Sequence, residues 1–215
     1  MKLSGRVEDF NGNPLEGATV RLDNHRFTPV VEVLTDENGC YEIEAEPGLY
    51  HDIFICKDYG VHNLEYWAWD IPLFEDRVIN ARIDGLEIYS LRAFRVKYYG
   101  IKQVMLYFRP MSLAKGKQFK EDKSLLEGPI INIAPELHKE DIEVRIEGVP
   151  STIYAVNKVL ESAGENQHIY AYLVHVSHEP DLNYNQYHRI DLTLTDRDTH
   201  EKGEGTVFWK ETEVI

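Results

Sequence analysis

Tyr66-Trp67-Ala68-Trp69-Asp70 is the stretch of this chain whose residue types could do the most chemistry. In an extended segment alternate side chains share a face, so Trp67 and Trp69 fall on one side and Tyr66 and Ala68 on the other. Flat indoles side by side stack on the apolar faces of sugar rings, and a carboxylate such as Asp70 accepts the sugar hydroxyls. The competing reading buries both indoles, in a core or at a contact between domains. A second polar-aromatic group, Tyr184-Asn185-Gln186-Tyr187, has the composition of a recognition loop and equally of an ordinary exposed one. The candidate ligand-binding residues are therefore Tyr66, Trp67, Trp69, Asp70, Tyr184 and Tyr187.

Metal chemistry has weaker support. Asp9, Asn11 and Asn13 keep the 1,3,5 oxygen spacing of a calcium loop, but Pro14 stands at position six and Val20 at position twelve. Those two positions need glycine and glutamate, so the EF-hand reading fails and a hairpin turn explains the residues better. Asp196 and Asp198 form a second oxygen-rich loop, a weak calcium candidate against the plainer reading of a solvated turn. His175 and His178 are three apart, which on a strand sends them to opposite faces; with His188 they make a poor zinc site.

Motifs for a catalytic nucleophile, a phosphate-cradling glycine loop and a Cys-x-x-Cys pair are missing from the sequence, so no enzyme activity and no cofactor is expected. The formal net charge is −14, with 37 Asp and Glu against 23 Lys and Arg. It is concentrated in residues 1–85, which hold 17 acidic and 7 basic residues. Such a surface repels phosphate backbones and anionic lipid, so nucleic acid is not an expected partner. No apolar run is long enough to span a bilayer, and membrane insertion is not expected. With no apolar leader after Met1, the expected location is cytoplasmic unless an export signal was removed.

The elements that must position these residues read as strands. Tyr41, Ile43 and Ala45 alternate with Glu42, Glu44 and Glu46, the pattern of a half-buried antiparallel strand. Val7, Ala18 to Leu22, Val30 to Leu34, His51 to Cys56 and Val78 to Ile83 complete a first set, punctuated by Asn11-Gly12-Asn13-Pro14, Asp36-Glu37-Asn38-Gly39 and Pro47-Gly48. A hairpin centred on Gly48 would place Cys40 opposite Cys56, within disulfide reach; two free thiols are the favoured alternative. After Asp84-Gly85 a second set begins: Glu87 to Tyr98, Val104 to Arg109, Ile130 to Ile133, Ile142 to Gly148, His168 to Val176, Ile190 to Asp196 and Thr206 to Trp209. Lysine-rich Ser112 to Gly128 reads as an exposed loop. Residues 153–163 fit either a helical face or one arm of a hairpin turning at Ala163-Gly164-Glu165-Asn166, with the hairpin preferred.

The ordered string Gly5-Arg6-Val7, Asn11-Gly12-Asn13-Pro14-Leu15-Glu16-Gly17-Ala18-Thr19-Val20, Thr35-Asp36-Glu37-Asn38-Gly39-Cys40-Tyr41 and Pro47-Gly48-Leu49-Tyr50 resembles the carboxypeptidase regulatory-like family of prealbumin-like β-sandwiches. The resemblance covers about residues 2–84. Val61 to Phe74 departs from it, being longer and more aromatic than the family's usual link. Glu147-Gly148, His188 to Asp196 and Arg197 to Gly205 are similar, more weakly, to parts of bacterial immunoglobulin-like domains. Together the resemblances imply an all-β chain of two consecutive antiparallel β-sandwich domains, residues 1–85 and 86–215. They also imply a non-catalytic binding or accessory role toward a carbohydrate or protein partner, or alternatively a structural or assembly component that uses the sandwiches as spacers.

Overall fold

The computed structural model describes residues 1–25, 27–95, 102–164, 166–178 and 181–211. The expected strand end at 96–98 and the hairpin-tip residue Glu165 lie outside the described residues. The first set of strands is β1 (Lys2–Glu8), β2 (Thr19–Asp23), β3 (Pro29–Leu34), β4 (Cys40–Glu44), β5 (Gly48–Cys56), β6 (Tyr66–Leu73), β7 (Arg77–Val78) and β8 (Ala81–Arg82). The second set is β9 (Leu86–Phe94), β10 (Gln103–Ser112), β11 (Ile142–Ile146), β12 (Val149–Pro150), β13 (Ile153–Gly164), β14 (Gln167–Ser177), β15 (His188–Thr195) and β16 (Lys202–Trp209), and a helix, α1 (Leu113–Glu121), separates β10 from β11. The chain is all-β in class and builds β-sandwich layers.

A large eight-stranded sheet in the order β12-β11-β15-β16-β6-β5-β2-β3 runs through the molecule. A small sheet, β4-β1-β7 with β8 also on β1, covers one half of it; a third sheet, β13-β14-β10-β9, covers the other half from the opposite face. Two cores result. One packs Leu3, Val7, Tyr41 and Ile43 of the small sheet against Val20, Leu22, Ile53 and Ile55 of the large one. The other packs Ile88, Leu106, Phe108 and Val174 of the third sheet against Val144, Ile190, Leu192 and Val207.

The two halves join where β16 pairs with β6 in parallel, Gly205 against Trp67 and Val207 against Trp69. Here the layers overlap, so β6 is covered on both faces: Tyr66, Ala68, Ile71 and Leu73 enter the first core, Trp67 and Trp69 the second. That is why its sequence is an almost unbroken apolar run where a one-sided strand would alternate with polar residues. At 1.5–3 kcal/mol or so per large side chain, burying this strand is a major stabilising term. The Asp84-Gly85 junction is tightly packed. Asp84 Oδ2 accepts from the Lys202 amide at 3.0 Å, and Gly85 O accepts from the Leu113 amide at 2.8 Å. A Cβ on Gly203 would sit 2.3 Å from Leu86 O, so only glycine lets β16 approach the start of β9.

Several expectations need correction. Pro47-Gly48 does not close a hairpin between its flanking strands. β4 pairs with β1 in the small sheet, while β5 pairs with β2 and β6 in the large one. The turn crosses between layers, so Cys40 and Cys56 are not opposed, and both thiols are free. Ser112 to Gly128 is not a loop: the Ser112 side chain caps α1 by accepting from the Lys115 amide, and a 3-10 turn, Lys123–Leu126, follows. Ile130 to Ile133 makes an isolated bridge to His168 instead of a full strand. Residues 153–163 form the hairpin arm β13, paired with β14. The sheets are also mixed, since β7 and β8 join β1 in parallel and β16 joins β6 in parallel.

Candidate functional site

The alternation expected along residues 66–69 is present, but the indoles face inward. Trp67 is 6% exposed and Trp69 1%. Their rings stack at 5.2 Å between centroids, and Tyr89 of β9 meets both edge-on at 5.5 Å. Phe54 at 5.2 Å and Phe27 at 6.1–6.4 Å close the cluster from the other side. The guanidinium of Arg92 lies 4.6 Å above Trp69. No indole face is open to a sugar ring, and the exposed platform proposed from the sequence is not formed. The cause is the second layer: β9 packs over the face that a single isolated sandwich would leave bare.

The other candidates separate. Tyr66 is 1% exposed, and its hydroxyl donates to Thr206 Oγ1 at 2.8 Å, which donates to Asp191 Oδ1 at 2.6 Å. This chain underlies a polar cleft of about 520 Å³ in which every arginine has a carboxylate partner: Arg6 with Glu8, Arg82 with Glu204, Arg145 with Glu143 and Arg189 with Asp191. Asp70 and Tyr187 do come together, lining an open cleft of about 740 Å³ with Arg92 and Lys210. Asp70 lies 3.6 Å from Arg92; burial raises its carboxyl above the ordinary range, and Arg92 opposes the shift. Asp70 and Ser90 both hold positive φ, 57° and 56°, conformations that non-glycine residues adopt at a cost. Tyr184 is half-buried beside this cleft, its ring edge-on to Trp209 at 5.9 Å and 3.7 Å beneath Arg95, its hydroxyl 2.8 Å from His178 Nε2.

The metal candidates are engaged in turns. Asp9 Oδ1 accepts from the amides of Asn11 and Asn13, and Asp196 Oδ1 accepts from the Asp198 amide at 2.9 Å. His188 bridges Glu147 and the Asn183 carbonyl. Among the described residues no group of three His, Cys, Asp or Glu side chains is placed to hold a metal ion. No helix among the described residues is long and apolar enough to cross a membrane.

Sequence reasoning missed two features. One is a buried carboxyl pair: Trp67 Nε1 donates to Glu87 Oε1 at 3.0 Å and to Glu65 Oε2 at 3.1 Å. Nothing in the sequence links Glu65 to Glu87 until β9 is known to cross β6. The other is a pair of open strand edges. Among the described residues β13 pairs only with β14, and along its 12 residues it exposes Tyr154 (49%) and Leu160 (52%). β3 ends the large sheet and exposes Val30 (46%) and Leu34 (64%). The apolar spacing of 153–163 contained the first of these signals once it was read as a strand.

Residues 2–57 match the family model of the carboxypeptidase regulatory-like domain. No curated protein matches the chain. Among solved structures, similarity extends to a DUF3823 family protein from Bacteroides ovatus, 10% identical over 97% of this chain and 99% of that one, with a TM-score of 0.30. It extends also to BcpA, the major pilin subunit of Bacillus cereus, 12% identical over 97% of this chain and 69% of that one, TM-score 0.31. SpaD, the major pilin of Corynebacterium diphtheriae, is 10% identical over 96% and 65%, TM-score 0.29. At such scores these are distant likenesses, and no functional property transfers with them.

Proposed function

We propose that the chain is a non-catalytic structural or assembly component, a prealbumin-like sandwich followed by an immunoglobulin-like one, that associates with protein partners through strand edges. The observation that carries this reading is β13, a long strand paired on one side, with Tyr154 and Leu160 exposed on it. An unpaired edge offers a row of backbone donors and acceptors, and proteins that remain monomeric usually protect such edges with charge, proline or a bulge. β13 carries a bulge or irregularity near each end, between Ile153 and Ala155 and between Ser162 and Gly164, which leaves Val156 to Glu161 as the regular stretch of edge; Lys158 within it is drawn into an ion pair with Glu136. An added strand would gain main-chain hydrogen bonds for affinity and side-chain pockets for specificity. The residues proposed for sugar stacking support this reading better than a carbohydrate one, because both indoles are spent on joining the layers.

The test is light scattering of the purified chain across a hundredfold concentration range, repeated on the Tyr154→Lys/Leu160→Lys double variant. We expect mass to rise with concentration for the parent and to stay monomeric for the variant. A parent that remains monomeric throughout, or a variant that associates equally well, would sink the edge as the means of assembly.

A further inference from the structure

A cavity of about 310 Å³, at the small end of the range for ligand pockets, lies between α1 and the body of the protein. Leu64, Phe119, Leu126 and Ile133 give it apolar walls, and Glu87 is its acidic group. Glu87 is 1% exposed. Its Oε1 accepts from Trp67, while its Oε2 has no hydrogen-bond donor among the described residues. Glu65 shares the same indole N–H, and the two carboxyls also lie within hydrogen-bond reach of each other in a poorly hydrated place. Burial, and then the charge of Glu65, push the Glu87 carboxyl up to about 8. The Glu87 carboxyl is short of donors, and the volume beside it is mainly apolar, with Lys117 and Lys120 also on its lining.

We propose that this cavity binds a small primary amine with an apolar body, the ammonium on the Glu87 carboxyl and the body among Leu64, Phe119 and Ile133. An ammonium supplies donors for the open Oε2 together with a charge that favours the ionised carboxyl. A carbonyl ligand would need the proton for which Glu65 already competes. A carboxylate ligand would turn its head to Lys117 and Lys120, which also line the cavity, and leave Glu87 as it was. Lys120, whose Nζ lies 3.4 Å from the Gly60 carbonyl, and Lys117 disfavour a second positive charge on the body, which restricts the class to monoamines. The inference does not depend on the assembly reading.

The test titrates hexylamine, with hexanol and hexanoate as chain-matched controls, into ¹⁵N-labelled protein and follows the three indole N–H resonances. Hexylamine is expected to saturate and to move the Trp67 resonance, which reports directly on Glu87, more than that of Trp209. Glu87→Gln should weaken hexylamine binding at least tenfold. Gly116→Leu fills the cavity from α1 without touching Glu87 and should abolish it; this variant keeps the test decisive if Glu87→Gln fails to fold. Hexanol or hexanoate binding as well as the amine, binding undiminished in Gly116→Leu, or no saturable binding at all would each overturn the proposal.

Discussion

Single residues already differ in what their surroundings do to them. Cys40 is exposed on the edge strand β4, whereas Cys56 is buried, with its thiol pushed up to about 12 by burial and by the nearby Glu65 and Glu87 charges. Only the thiolate reacts readily. We expect a thiol reagent at pH 8 to label one cysteine in the native protein, Cys40, and both in urea; native labelling at Cys56 would contradict the burial. Glu87 makes a second prediction. Its carboxyl ionises near 4.5 when unfolded and near 8 when folded, so between those values the folded state holds the extra proton. Stability contributed below pH 4.5 is therefore lost as pH rises toward 8 and is level beyond it. Burial raises Glu65 in the same direction. Glu87→Gln keeps an acceptor for Trp67 and removes the charge; its urea midpoint should fall less than that of the parent between pH 5 and pH 8.

At the scale of elements, β6 contributes large side chains to both cores. Trp69→Ala would leave a void beneath Tyr89 and Arg92 and should cost about 3–5 kcal/mol, read from denaturant unfolding. A loss below 1 kcal/mol would mean that the layers can close over the gap. Glu161 fastens the open hairpin across β14, pairing with Arg109 and accepting from Tyr107 of β10. Glu161→Ala should loosen β13 by about 1 kcal/mol, visible as faster amide exchange confined to β13 and the start of β14. Much of this layout was legible in the sequence. Tyr41 and Ile43 set the inner face of β4, and the regular alternation of Ile142 to Ile146 and of Ile190 to Leu194 set two more strands. What was not legible depended on partners far along the chain. Pro47-Gly48 announces a turn but cannot say which sheet receives the next strand. Trp67 and Trp69 announce one shared face but not what covers it. Helix α1 was hidden because Leu113 is its only buried residue and its other positions are lysine-rich, although Ser112 was available as a cap.

The whole molecule is two cores threaded on one sheet. Dividing it at residue 85 would separate β6 from β16 and uncover Trp67, Trp69 and Phe208, the last of which belongs to the first core although it comes from the second half. A fragment of residues 1–85 is thus expected to be less stable than the same residues in the full chain and to self-associate, checked by thermal unfolding and sedimentation. A monomeric fragment melting at the temperature of the full chain would show instead that the first sandwich is self-sufficient. The parallel pairing of β6 with β16 also has a cost in time. At ribosomal rates of about 5–20 residues per second, on the order of ten seconds pass between the emergence of Leu73 and that of Lys202. Throughout that interval the nascent chain carries a tryptophan-bearing strand whose edge lacks its partner β16, a natural client for a holding chaperone.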